Sequence, residues 1–206
     1  MTEKKRKTHQ ERSDLSDKLM LEAAVALILE KGTEKTTLKE VGEKAGYSRG
    51  LAGYRFGSKA GLFTFVLRAL SEYWLRDLQQ ATMGKKGIDA IAAATLKHAQ
   101  MFDNSTNNIR AFYTLWFDAV SAESDVQQVV ISIHQRRQKD LMQWIIDDPS
   151  LQAFHESADD IAAQYNASLN GIAYQLMLMS SVDQNKAMVA QLHDNVIQFM
   201  RQTLSR

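Results

Sequence analysis

The sequence predicts an all-α protein, and three features of its 206 residues carry that reading. Pro149 is the single proline, and glycine is scarce after residue 87, where apolar residues recur at helical spacing. Seven of the 10 glycines fall between Gly32 and Gly61, so turns crowd into one short N-terminal region. The apolar fraction of 45% fills a core for one large domain or two small ones. There is no cysteine, which excludes disulfides, thiol catalysis and thiolate metal sites.

The first helix is expected from Ser13 or Asp14 to Lys31, with Gly32 as its stop and Leu15, Leu19, Ala23, Leu27 and Ile28 as its buried stripe. Thr37 to Glu40 reads as a capping box that opens a helix of about two turns. Leu38, Val41 and Ala45 share one face of it, and Gly46 ends it. Ser48 is placed to cap the next helix, which carries Arg49, Gly50, Leu51, Ala52, Gly53, Tyr54 and Arg55. Each glycine there costs roughly 1 kcal/mol against alanine, so this helix needs outside support. Ser58 caps a long connecting helix from about Lys59 to Ala81, carrying Leu62, Phe63, Val66, Leu70, Tyr73, Trp74 and Leu78. No flexible linker precedes it, so motion of the body would move the short helices rigidly. Five more helices are expected at about 88–102, 107–122, 124–146, 157–180 and 185–204, with a polar loop at 104–108.

Charge is unevenly spread. Residues 1–59 hold 13 Lys/Arg against 9 Asp/Glu, whereas the rest hold 12 against 15. No carboxylate occurs from Lys44 through Ser71, a run that contains Lys44, Arg49, Arg55, Lys59 and Arg68. Two short helices, a glycine turn and an acid-free basic surface fit a reader of the DNA major groove. On that reading Arg49 meets a base edge and Leu51 a thymine methyl. Tyr54, Arg55 and Lys59 meet phosphates, and Thr37, Ser48 and Gly50 complete the contact set. The bland alternative is two linked helices in an ordinary bundle. The leader Lys4-Lys5-Arg6-Lys7 is either a solubilising tail or an arm that follows phosphates or enters a minor groove.

The register of these residues resembles the DNA-binding domain of the TetR family of bacterial transcriptional repressors, from Ser13 to Phe63. That family's run is approximately T-x-x-x-I-A-x-x-A-G-V-S-x-G-x-x-Y-x-x-F-x-S-K-x-x-L. Thr37, Val41, Ala45, Gly46, Ser48, Gly50, Phe56, Ser58, Lys59 and Leu62 match it. Gly42 and Tyr47 depart from it, and Gly53 stands where many members carry a phosphate-contacting tyrosine, with Tyr54 one place on. The resemblance implies an N-terminal helix-turn-helix domain (1–57) joined to a larger helical effector-binding and dimerisation domain (58–206). It implies a homodimer on a palindromic double-stranded operator, released by a small-molecule effector.

The last two helices each carry two apolar rows, wider than one packing partner needs. The expected dimer seam is Leu169, Ile172, Leu192, Val196 and Phe199; burial inside a monomer is the other reading. Ala167, Gly171, Tyr174 and Leu178 form a further side of the penultimate helix. Trp74, His98, Phe102, Phe112, Trp116 and Tyr165 are the expected effector residues, because four helices should bring them into one interior; a plain aromatic core explains them too.

Enzyme motifs are missing. There is no G-x-G-x-x-G, no P-loop, no G-x-S-x-G and no H-E-x-x-H, and the histidines lack metal-ligand spacing. A non-enzyme with no cofactor and no metal is the expectation. No apolar run reaches the roughly 18 residues of a membrane span, so no membrane partner and a cytoplasmic location are expected. A ligand-independent architectural DNA binder, a helical interaction protein and a bundle enzyme remain as alternatives.

Overall fold

A computed structural model describes residues 8–104, 106–121, 124–179 and 186–205. Among them the fold is all-α. The helices are α1 (His9–Lys35), α2 (Leu38–Lys44), α3 (Arg49–Phe56), α4 (Lys59–Thr82), α5 (Gly87–Asn104), α6 (Thr106–Asp118), α7 (Asp125–Ile146), α8 (Ala158–Met177) and α9 (Lys186–Thr203). Short 3-10 turns follow α6 at Ala119–Ser121 and α7 at Pro149–Phe154.

The first helix starts earlier than expected. Thr8 and Glu11 form a reciprocal capping box, which the Ser13 reading overlooked. Gly32, at φ 82° and ψ 167°, breaks the helix where the stop was expected, and a short helical turn follows it to Lys35. Of the expected stripe Leu15 is exposed, whereas Ala23, Leu27 and Ile28 are buried, joined by Met20 and Ala24. Helix α6 begins at Thr106, inside the expected loop, with the Thr106 hydroxyl donating to the Phe102 carbonyl. The other body helices lie within a few residues of their expected bounds.

Helices α1, α2 and α3 form the N-terminal head, around Val41, Ala45 and Ala52. Helix α1 also packs on α6, and the Thr33 hydroxyl donates to Asp118 at 2.5 Å. In the body, α4 packs against α5, α6 and α7, α7 against α8, and α9 against α5 and α8. Most of the buried side chains, from Met20 to Leu204, belong to one continuous core that includes head and body.

Candidate nucleic-acid interface and interior cavity

The turn between α2 and α3 is set by local chemistry. Gly46 takes φ 80°, and the Tyr47 amide donates to the Gly42 carbonyl at 2.9 Å while the Gly46 amide donates to Glu43. That pair of bonds is a Schellman stop, which a side chain at positive φ would strain. Gly42 has its own reason. A Cβ there would stand 3.1 Å from the Ser48 carbonyl, so the glycine lets the turn fold tightly over α2. The Thr37 hydroxyl accepts from the Glu40 amide at 3.3 Å and donates to the Glu40 carboxylate. Lys31 also salt-bridges Glu40 at 2.5 Å. Together these hold the Glu40 carboxyl below its usual value, the Lys31 bond contributing most.

Helix α3 is supported from outside, as its glycines require. Ala52 is fully buried beneath it, whereas Gly50 and Tyr54 face outward, Tyr54 at 91% exposure. Leu51 is half-buried. Ser48 occupies the N-cap position, but its side chain makes no capping bond, a correction to the expected cap. Arg49 opens the helix; its side chain, and the whole of Lys4, Lys5, Arg6 and Lys7, lie outside the described residues. The joint to α4 is close. The Ser58 hydroxyl accepts from the Gly61 amide at 3.0 Å, and a Cβ on Gly61 would fall 2.1 Å from the Phe56 carbonyl. Any side chain at that position would push the end of α3 off α4.

The acid-free run is not acid-free in space. Helix α1 brings Glu30 to within 3.5 Å of Lys44, and Asp17 into a salt bridge with Arg55. The Lys59 ammonium donates to the Glu34 carbonyl and lies over the Phe63 ring. The exposed Lys44–Glu30 pair contributes only about 0–1 kcal/mol, whereas the Arg55–Asp17 pair is partly buried.

In the body, the six expected effector residues are all buried but do not share one space. A cavity of about 400 Å³ opens between α1, α4, α6 and α7, within the about 300–1,000 Å³ typical of ligand sites. Trp74 and Phe112 line it, together with Leu70, Tyr73, Met101, Ile109 and Arg137. His98 and Tyr165 face a separate void of about 20 Å³, room for little more than one water. Phe102 and Trp116 line neither space and serve the core.

His98 belongs to a buried hydrogen-bonded chain. The Tyr113 hydroxyl lies 3.0 Å from His98 Nε2, His98 Nδ1 is 2.8 Å from His193 Nε2, and His193 Nδ1 is 2.7 Å from the Val189 carbonyl. A carbonyl only accepts, so His193 Nδ1 donates and its Nε2 must accept. His98 Nδ1 therefore donates, and its Nε2 accepts from Tyr113. Every tautomer follows from one end, tying α6, α5 and α9 together. Burial, reinforced by the His193 and Arg137 charges, pushes His98 well below the usual histidine range. Burial lowers His193 as well. Tyr165 and Thr95 share a hydrogen bond of 3.0 Å, and burial raises the Tyr165 hydroxyl's pKa.

Arg137 is the residue that sequence reasoning missed. Its guanidinium carbon lies 4.4 Å from the Trp74 ring centre, 5.1 Å from Trp116 and 5.5 Å from Phe112. Such contacts are worth about 0.5–2 kcal/mol each, against a penalty of several kcal/mol for a desolvated ion. The signal was available. Val130, Ile133, Leu141 and Ile145 set an apolar stripe along α7, and Arg137 stands in it where a leucine would serve a core.

Of the expected seam, Leu169, Ile172 and Val196 are largely buried against their own chain. Leu192 is half-buried and Phe199 is 44% exposed. The outward row is the other side of α8: Ala167, Gly171, Tyr174 and Leu178, the last two at 54% and 70% exposure. Periodicity finds two apolar rows on a helix, but not which one its own chain covers.

Comparisons with known proteins agree with this geometry. Residues 20–65 match the profile of the bacterial regulatory proteins of the tetR family. The HTH-type transcriptional regulator BetI of Brucella suis is 25% identical over 181 residues, spanning 86% of this chain and 87% of that protein. A transcriptional regulator from Rhodococcus sp. Rha1 superposes with a TM-score of 0.76 at 20% identity, over 91% of this chain and 97% of its own. FadR from Bacillus subtilis, solved in complex with stearoyl-CoA, gives 0.72 at 14% identity over 89% and 96%. At such identities the two structures speak for the fold alone.

Proposed function

We propose that this chain, which belongs to the TetR family of bacterial transcriptional regulators, is a homodimeric repressor that leaves its operator when a small molecule fills the α4–α6–α7 cavity. One observation carries the proposal: a single helix joins the two sites. Helix α4 starts at the Ser58 cap against α3 and presents Leu70 and Trp74 to the cavity. Its 24 residues span about 36 Å at 1.5 Å per residue. Anything that tilts α4 at Trp74 swings α3 at its far end.

The contacts proposed are those of the sequence reading. Arg49 and Leu51 read base edges; Tyr54, Arg55 and Lys59 hold phosphates; Thr37, Ser48 and Gly50 border the backbone. The boundary between head and body lies at 57/58. The dimer seam is the exposed row of α8, Tyr174 and Leu178, with Leu192 and Phe199 of α9. Two recognition helices on one face of DNA need centres about 34–36 Å apart, and a ligand that changes that spacing lowers affinity without touching DNA. The FadR neighbour was captured with a small molecule, which supports a ligand-binding reading of this fold.

Sedimentation with and without short duplexes tests this. The free protein should run at twice the 23.3 kDa chain mass and bind a palindrome as two chains, with affinity falling steeply with salt. Leu178→Glu, at an exposed position, should yield folded monomers with weak DNA binding. A wild-type monomer that binds a palindrome one-to-one would refute the dimer and the switch with it.

A further inference from the structure

Arg137 forms no ion pair among the described residues, and its Nε is buried without a hydrogen-bond partner. The indole Nε1 of Trp74, whose ring lies against that guanidinium, is likewise buried and unpartnered. Both residues line the about 400 Å³ cavity, and each keeps a buried N–H beside it that no acceptor receives. The nearby acids are already taken. Glu22 faces Lys18 at 4.0 Å, Asp77 holds Lys97 at 2.9 Å, and Asp140 holds Arg136 at 3.1 Å. Three aromatic faces offset part of the guanidinium's lost hydration but supply no acceptor.

We propose that the cavity binds a carboxylate with an apolar body, its carboxyl group on the Arg137 guanidinium and its body against Leu70, Met101, Ile109 and Phe112. The inference rests on the reading of this cavity as the effector site, and it names the ligand class. Guanidinium geometry matches a carboxylate in a two-point contact, and one such cation neutralises one negative charge. A quaternary ammonium ligand is disfavoured, because Arg137 already occupies the aromatic faces that would hold it. Lys18, Glu22, Ser71, Asp77 and Asn108 make the rest of the lining polar, so the apolar body belongs on the Leu70, Met101, Ile109 and Phe112 side.

The test is calorimetric titration of the wild-type protein with octanoate and 3-phenylpropionate, against their neutral amides, octylamine and octyl phosphate. The acids should bind at least tenfold more tightly than every comparator. Arg137→Met should abolish that preference, and Arg137→Lys should restore part of it. Removal of an unpaired charge should leave the melting temperature of the unliganded Arg137→Met protein unchanged or raised. Amides that bind as well as the acids, acids that bind Arg137→Met normally, or a folded variant with a clearly lowered melting temperature would each overturn the inference. Operator release is scored separately. Acids that bind through Arg137 yet leave the operator complex intact refute the effector reading and support the anion site. Release by octylamine or the amides, unaffected by Arg137→Met, supports the effector reading and refutes the anion site.

Discussion

Arg55, at the end of α3, and Arg137, in the middle of α7, are kept by the fold in opposite ways. Arg55 is tied to Asp17 and lies 3.4 Å from the Ser13 hydroxyl, both on α1 at the rim of the head. Arg137 lies among Trp74, Phe112 and Trp116 with no acid paired to it among the described residues. Arg137 is half-buried, and its charge lowers His134 after burial, and His98 after burial and His193. The difference is one of pairing: Arg55 has its acid, and Arg137 has aromatic faces in place of one.

The same contrast orders the expected effects of substitution. Phe102→Ala, which empties a fully buried body position, should cost about 3–5 kcal/mol in equilibrium denaturation. Leu51→Ala, half-buried on α3, should cost far less; equal losses would mean that the head is as tightly packed as the body. Arg49→Ala should lose about 1–3 kcal/mol of operator binding and relax the selected base at one position, with the melting temperature unmoved. An unchanged consensus would remove the base contact.

Acid should act on the body before the head. Burial holds His98 and His193 neutral when folded, so the unfolded chain takes up protons first as pH falls below about 6.5. Their stabilisation is therefore complete above that value and is lost as pH drops toward the depressed folded values. The slope approaches about 1.4 kcal/mol per pH unit per histidine. Melting curves between pH 7.5 and 5.5 should show this, and His193→Gln should flatten the trend; a curve rising toward acid would contradict it. The smallest effect belongs to Asp17→Ala, which frees Arg55 and should change stability by under about 1 kcal/mol. Its DNA affinity should rise or hold; a marked loss would make the Arg55–Asp17 pair a part of the DNA site.

The head was legible in sequence because its determinants are local. Thr37, Gly46 and Ser58 act within a few residues of themselves, and each stands at a helix terminus. The body helices were legible from periodicity and from the Asp148-Pro149 stop, where Asp148 caps the 3-10 turn. What stayed hidden is what distant segments bring. Helix α1 carries Asp17 and Glu30 to a run that holds no acid of its own. His98 was read as a ligand contact because its partners, Tyr113 and His193, lie on other helices. Periodicity likewise placed Leu169, Ile172 and Val196 in an apolar row without showing that their own chain already covers most of them.

Selection of duplexes from a random pool by the wild-type protein tests the central claim most directly. One inverted repeat should be enriched, its half-sites about 10 bp, or a multiple of it, apart between centres. Recovery of sequences no different from the starting pool, at a salt concentration where the protein still binds, would contradict it.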